Sequence, residues 1–309
     1  MGLSPGEVVV LCGGTGGAKL ARGFAGTLGA QQLTAVVNTG DDIEIYGAYV
    51  SPDPDLVSFW LADLIDDRGW GLRGDTFAVM DALRQLGADV WFNLGDRDLA
   101  WCARRSSLMH EGSSPTRALS LLNEKVGVRS AVLPMSDDPV RTWVKTPSGG
   151  WRAFQQFMIQ DRAEGPVEAL EFRGADAAAP SPLVLDALAR AEAIVIGPSN
   201  PLASIAPILA VPGIREAMRD APAPVVAVSP IVAGEVLKGP TAAFMAYAGH
   251  PPTAAGVAAF YRDLLDGIVA DEEVQGLPAL QTDTRMDDDA ARERLADRTL
   301  EFARGLGSR

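Results

Sequence analysis

Eight residues close to the N-terminus, Cys12–Lys19 (CGGTGGAK), carry four glycines and end in a lysine, directly behind the apolar run VVVL. Glycines let backbone amides approach an oxyanion, and the positive end of a following helix favours negative charge, so the stretch suits a phosphate. It is not a P-loop, because Lys19 follows Ala18 and precedes Leu20 where that motif needs Gly-Lys-Ser/Thr. The dinucleotide fingerprint also fails, since Lys19 stands where the third glycine belongs. Gly13, Gly14, Thr15, Gly16, Gly17 and Lys19 are candidate phosphate or nucleotide ligands; a ligand-free strand–helix turn is the competing reading.

Carboxylates follow in pairs. In NTGDDIEIYG, Asp41 and Asp42 can hold Mg²⁺ through one carboxylate while the other accepts a proton or a hydroxyl; otherwise they are a polar turn. SPDPDL supplies Asp53 and Asp55, at least one of which is equally suited to start a helix. WFNLGDRDL brings Asp96, Arg97 and Asp98, with Arg97 a fork for phosphate or carboxylate oxygens and Asp98 a helix cap. Ser199 and Asn200 in GPSNP form a polar loop made rigid by its prolines, suited to a nucleobase, ribose or phosphate. Lys238, in SPIVAGEVLKGP, is one of only four lysines. Trp60, Trp70, Trp91 and Trp101 can stack a planar ring or fill a core. There is no GxSxG elbow and neither His110 nor His250 has a nucleophile–base context, which disfavours a hydrolase triad.

These groups need elements to position them. Strand-like runs at Val8–Leu11, Thr34–Asn38, Ala131–Pro134, Ala193–Ile196, Val225–Val228 and Ile268–Ala270 alternate with helical spacing at 17–28, 53–64, 75–86, 98–111, 183–190, 213–219, 242–248 and 254–265. That alternation predicts an α/β fold with a doubly wound, mostly parallel, Rossmann-like sheet. Thr142–Thr146 and Ala153–Ile159 around PSGG read as a β-hairpin, with a further strand at Ala169–Phe172. The chain is therefore divided into a core of residues 1–135 and 180–309 and a small β-rich insertion or cap at 136–179. The acidic tail 287–304 reads as a solvated helix. CGGTGG, NTGDD, GPSNP and SPIVAG each follow a strand, so they should gather at one sheet edge, where such sheets bind ligands.

Composition narrows the classes. The 309 residues are 47% hydrophobic, with a net charge of −13 and no basic cluster, which argues against nucleic acid. No apolar run is long enough to span a bilayer, and the N-terminus lacks a signal-like segment, so a cytoplasmic location is expected. Two cysteines and two histidines disfavour a structural zinc site.

Nine blocks in order, from LCGGTGGAKLARG through VVNTGDDIEIYG, SPDPDLVSFWL, GWGLRGDTF, WFNLGDRDL, VLPMSDDPVRTWV, FQQFMI and IGPSNPLASIAPILAVPGIREAMR to VAVSPIVAGEVLKGP, resemble the 2-phospho-L-lactate transferases (CofD-like) of coenzyme F420 biosynthesis. Tyr46 stands where relatives often carry histidine. The resemblance implies a transferase that moves a phospho-three-carbon-acid group (phospholactyl or phosphoenolpyruvyl type) from a guanosine-diphosphate-linked donor to the ribityl hydroxyl of the deazaflavin Fo, releasing GMP. It further implies Mg²⁺ on Asp41 or Asp42 and a proton acceptor at Asp42 or Asp55. The diphosphate would lie on Gly13–Gly17 with Lys19, and the guanosine side or donor carboxylate on Ser199, Asn200 and Lys238. Asp53, Asp96, Arg97 and Trp60 are its candidate substrate contacts, and a homodimer is expected. The alternative is a related regulatory protein that binds a nucleotide-sugar; a nicotinamide-dependent oxidoreductase is disfavoured by the failed fingerprint.

Overall fold

In a computed structural model that describes residues 7–147, 149–236 and 239–309, seven segments form one parallel sheet. They are β1 (Val8–Cys12), β2 (Leu33–Val37), β3 (Ala131–Pro134), β4 (Ala193–Ile196), β5 (Val225–Val228), β6 (Gly267–Ala270) and β7 (Ala279–Gln281). Their spatial order is β7-β6-β5-β4-β1-β2-β3, with every neighbouring pair parallel. Strands β1 to β5 are almost wholly buried because both faces of the sheet are covered, which is why they read as continuous apolar runs. Along β1 the side chains alternate between two cores, Val9 and Leu11 in one and Val8, Val10 and Cys12 in the other.

The order reverses between β1 and β4, the switch point at which open α/β sheets take ligands. The predicted α/β class and parallel sheet are thus observed. The sheet does not close at Ala270, however: β7 adds a further edge strand. Nor is the tail helix (Asp289–Leu306) simply solvated. Leu295, Ala296, Leu300 and Ala303 are buried in the core that helix α1 (Gly14–Leu28) also enters, and a Cβ on Gly23 of α1 would meet the Arg292 carbonyl oxygen at 2.3 Å. Opposite-charge spacing described one face of this helix, while the apolar stripe on the other decided its place.

Small antiparallel sheets decorate this frame. Arg141–Thr146 pairs with both Gly150–Ala153 and Ala169–Arg173. The second hairpin arm is Gly150–Ala153, not the expected Ala153–Ile159, because Phe154–Ile159 is a helix. Phe154 and Phe157, three residues apart, both reach the core against Phe244, a helical spacing that the strand reading overrode. The connection between β2 and β3 holds a hairpin (Ile43–Ile45 with Ala48–Val50), then α2 (Pro52–Leu61), α3 (Ala78–Gln85), α4 (Asp96–His110) and α5 (Pro115–Lys125). The hairpin turns through Tyr46 and Gly47, both with positive φ. Among the described residues no helix is long and apolar enough to cross a membrane.

Candidate active site

The turn after β1 is closed by groups that arrive from two other elements. Ser199, in the turn after β4, accepts the Gly13 N–H (3.2 Å) and donates its hydroxyl to the Gly13 carbonyl (2.8 Å). Asp53, in the first turn of α2, accepts the Gly14 N–H at 2.7 Å. No side chain fits at Gly13, where a Cβ would lie 2.4 Å from Asp53 Oδ2, nor at Gly16, where it would lie 2.1 Å from the Pro198 carbonyl oxygen. Above Gly14 the space is open.

Asn38, at the end of β2, joins the second acidic turn to the first. Its side-chain amide donates to Asp41 Oδ1 (3.0 Å) and to Asp53 Oδ2 (2.9 Å), and its carbonyl accepts the Gly40 N–H (2.8 Å). Two buried carboxylates therefore converge on one neutral amide. Burial, the nearby Asp53 charge and the adjacent Asp42 hold Asp41 well above the usual carboxylate range, against the pull of Asn38. Burial likewise raises Asp53, opposed by its bonds from Asn38 and Gly14. Hard oxygen donors held together at such cost fit a divalent cation.

Within each adjacent pair of the sequence, however, the two acids part company. Asp42 turns away from Asp41 and accepts hydroxyls from Tyr49 (2.7 Å) and Ser51 (2.7 Å). Tyr49 in turn accepts from Arg141 (3.0 Å), the first residue of the insertion's central strand. Burial pushes Asp42 up to about 7, with Arg141, Tyr49 and Ser51 opposing. Asp53 and Asp55 lie two residues apart on α2, roughly 200° around the helix, so they leave it in different directions. Asp55 is enclosed in a bidentate pair with Arg105 of α4 (Nη1 to Oδ2, 3.0 Å; Nη2 to Oδ1 also bonded) and accepts the Trp101 indole N–H at 2.7 Å. Saturated in this way, it is poorly placed to take a proton.

Beyond Asp53 opens an apolar cleft of about 180 Å³, lined by Phe59, Trp70, Phe77 and Phe92 together with Asp53 and Asp98. Trp60 is not part of it. The Lys19 ammonium (5.8 Å to the centroid) and the Arg292 guanidinium (5.0 Å) both lie over its ring, which lines a separate polar cavity with Thr15. Lys19 also donates to the Met286 carbonyl (3.1 Å).

Three other sequence candidates have structural partners. Asp96 accepts the Thr76 hydroxyl and the Ala78 and Val79 N–H groups, capping α3 rather than its own helix. The Arg97 guanidinium donates to the Arg73 carbonyl (2.9 Å). Asn200 caps the turn that follows it through the Leu202 and Ala203 N–H groups, and donates to Thr241 (3.2 Å). Lys238 lies outside the described residues. Asn38, Tyr49, Arg105 and Arg141 were missed. Asn38 alone left a signal, being the polar residue that ends a buried strand run immediately before the paired aspartates.

Raised carboxyl values carry a stability consequence. For Asp42 and Asp98, both near 7 against an ordinary 3.8, the folded state holds the proton more tightly than the unfolded chain. Their contribution is complete below 3.8 and is lost as pH rises through 7. Thermal melts without added metal should show a higher Tm at pH 5.5 than at pH 8, and an Asp42→Asn, Asp98→Asn double variant should flatten that slope.

Comparison with known proteins gives the family and the fold. The family described as 2-phospho-L-lactate transferase CofD matches residues 8–301. A 2-phospho-L-lactate transferase of Methanosarcina mazei is 41% identical over 266 residues, covering 86% of this chain and 87% of its own. A phosphoenolpyruvate transferase of Kitasatospora aureofaciens is 40% identical over 94% of this chain and 97% of its own. Among solved structures, a UPF0052-family protein of Bacillus halodurans superposes with a TM-score of 0.62 at 17% identity, over 96% of this chain and 100% of that one, a likeness of fold.

Proposed function

Because the chain belongs to the 2-phospho-L-lactate transferase (CofD) family and is an enzyme of that type, we propose that it transfers a phosphorylated three-carbon acid from a guanosine-diphosphate-linked donor to the primary ribityl hydroxyl of the deazaflavin Fo. The observation that carries this reading is the junction at Asp53. One carboxylate belongs both to the glycine turn and to the mouth of an aromatic cleft, so a diphosphate on the first and a planar ring in the second would meet there.

In the reaction, the acceptor hydroxyl oxygen attacks the phosphorus that carries the acid. The bond from that phosphorus to the bridging oxygen breaks, GMP departs with the electron pair, and the hydroxyl proton is taken up by a base. Such transfers depend on positioning and charge neutralisation more than on covalent help. With the Gly13 and Gly14 amides bonded to Ser199 and Asp53, the amides that follow them at the start of α1, those of Thr15 and Gly16, would hold the donor oxygens. Asp41 and Asp53, rather than the adjacent pair Asp41 and Asp42, would hold Mg²⁺, which when bound neutralises charge on the diphosphate. Asp42, near 7, can take up and release a proton at physiological pH. Asp55 acts by fixing α4 against α2 through Arg105.

The test offers the protein Mg²⁺, Fo and guanosine diphosphate donors carrying lactate, enolpyruvate or glycerate, and follows products by mass. A phosphodiester product with GMP release from at least one donor is expected. No product from any donor, together with no change in Fo fluorescence on adding protein, would overturn the reading.

A further inference from the structure

Within the aromatic cleft one polar side chain lacks the partners that its neighbours have. Asp98, in the first turn of α4, has its backbone N–H bonded to Asp75 Oδ2 (3.0 Å). Among the described residues, the only polar contact of its carboxyl is the Cys102 thiol at 3.9 Å. Asp53 and Asp55 line the same cleft, but both are committed, to Gly14 and Asn38 and to Arg105 and Trp101. Asp98 thus offers a carboxyl with free bonding capacity to whatever lies between the rings.

The geometry points to Asp98 as the specificity-determining residue that reads the imide edge of the acceptor ring, pairing with a ring N–H and an adjacent carbonyl through two hydrogen bonds. This inference rests on the proposed use of the cleft for a deazaflavin. A deazaflavin's pyrimidinedione end carries an N–H flanked by carbonyls, and a neutral carboxylic acid is its complement, accepting from the N–H while donating to the C=O. Ionised, the same group could only accept, and it would face the carbonyl oxygen with like polarity. The charged and titratable groups around it are Asp55 on α2, Asp75 on the loop before α3, Arg105 and Cys102 on its own helix, and Asp53 and Arg68 across the cleft. Burial first, then the Asp55 and Asp75 charges, raise Asp98 to about 7, with Arg105 opposing. The donating form is therefore well populated at neutral pH.

Fo fluorescence titrations of the full-length protein, without donor or metal, test this. Asp98→Asn presents the same donor–acceptor pair at every pH and should bind Fo within about threefold of wild type at pH 6. Asp98→Ala should weaken binding roughly 10–100-fold. Between pH 6 and 8.5 wild type should lose about tenfold relative to Asp98→Asn; ionisation of Fo itself is common to both and cancels in the ratio. A deazaflavin methylated at the imide nitrogen should lose affinity for wild type but not for Asp98→Ala. Equal Fo binding by wild type and Asp98→Ala, or a wild-type to Asp98→Asn ratio that does not change with pH, would overturn the assignment. Absence of Fo binding by wild type would instead remove the cleft reading beneath it.

Discussion

Asp41→Asn is expected to reduce turnover by at least about 10³-fold while leaving the fold as stable as wild type, or more so, at pH 8. The first effect follows from losing a hard anionic ligand where several kcal/mol of transition-state charge stabilisation is required. The second follows from like charge. Asp41 and Asp53 share one Asn38 amide; burial raises both above the ordinary carboxylate range, and the Asp53 charge raises Asp41 further. Replacing one by a neutral isostere removes that strain, a gain of roughly 0.5–2 kcal/mol of the kind often found when a functional site is relaxed. The gain should shrink as the pH falls and the wild-type carboxyls take up protons. Adding Mg²⁺ should raise the Tm of wild type but not of Asp41→Asn, since only the native site binds the ion. A variant with ordinary turnover, or with an unchanged response to Mg²⁺, would exclude Asp41 from the metal site.

Arg105→Ala should be among the most damaging single changes in the protein, costing about 3–5 kcal/mol, because it leaves the buried Asp55 carboxylate without its partner. The pair joins the start of α2 to the middle of α4 and sits behind both Asp53 and the Asp98 cleft, so its loss loosens the site as well as the fold. The double variant Asp55→Leu, Arg105→Leu should recover most of the stability, since two apolar side chains can replace an ion pair whose attraction is offset by desolvation. It also distinguishes the roles of Asp55. A positioning residue predicts a double variant with turnover within about tenfold of wild type, whereas loss of a proton acceptor costs about 10²–10⁴-fold. Urea melts and steady-state rates of the three proteins decide between them.

What the sequence alone determined was whatever is written locally. A run such as VVVLC closed by glycines, or AIVI closed by GPSNP, has few ways to be anything but a buried strand followed by a ligand-edge turn, and the alternation of such units implies a parallel sheet. Several of the family motifs, CGGTGG, NTGDD and GPSNP among them, lie in such turns, so the edge at which the chemistry gathers was legible. Which acids act together was not. Adjacent letters suggested Asp41 with Asp42 and Asp53 with Asp55; the backbone divides each pair, by a bend in one case and by helical rotation in the other. The pairing Asp41–Asp53 is made by Asn38, and the ion pair Asp55–Arg105 spans fifty positions to an arginine with nothing in its neighbourhood to mark it. Arg141 reaches Tyr49 from ninety-two positions away. Side-chain partnership at such separations depends on how helices and strands are rotated as they pack, which is settled only when the cores close and is absent from the local pattern of the chain.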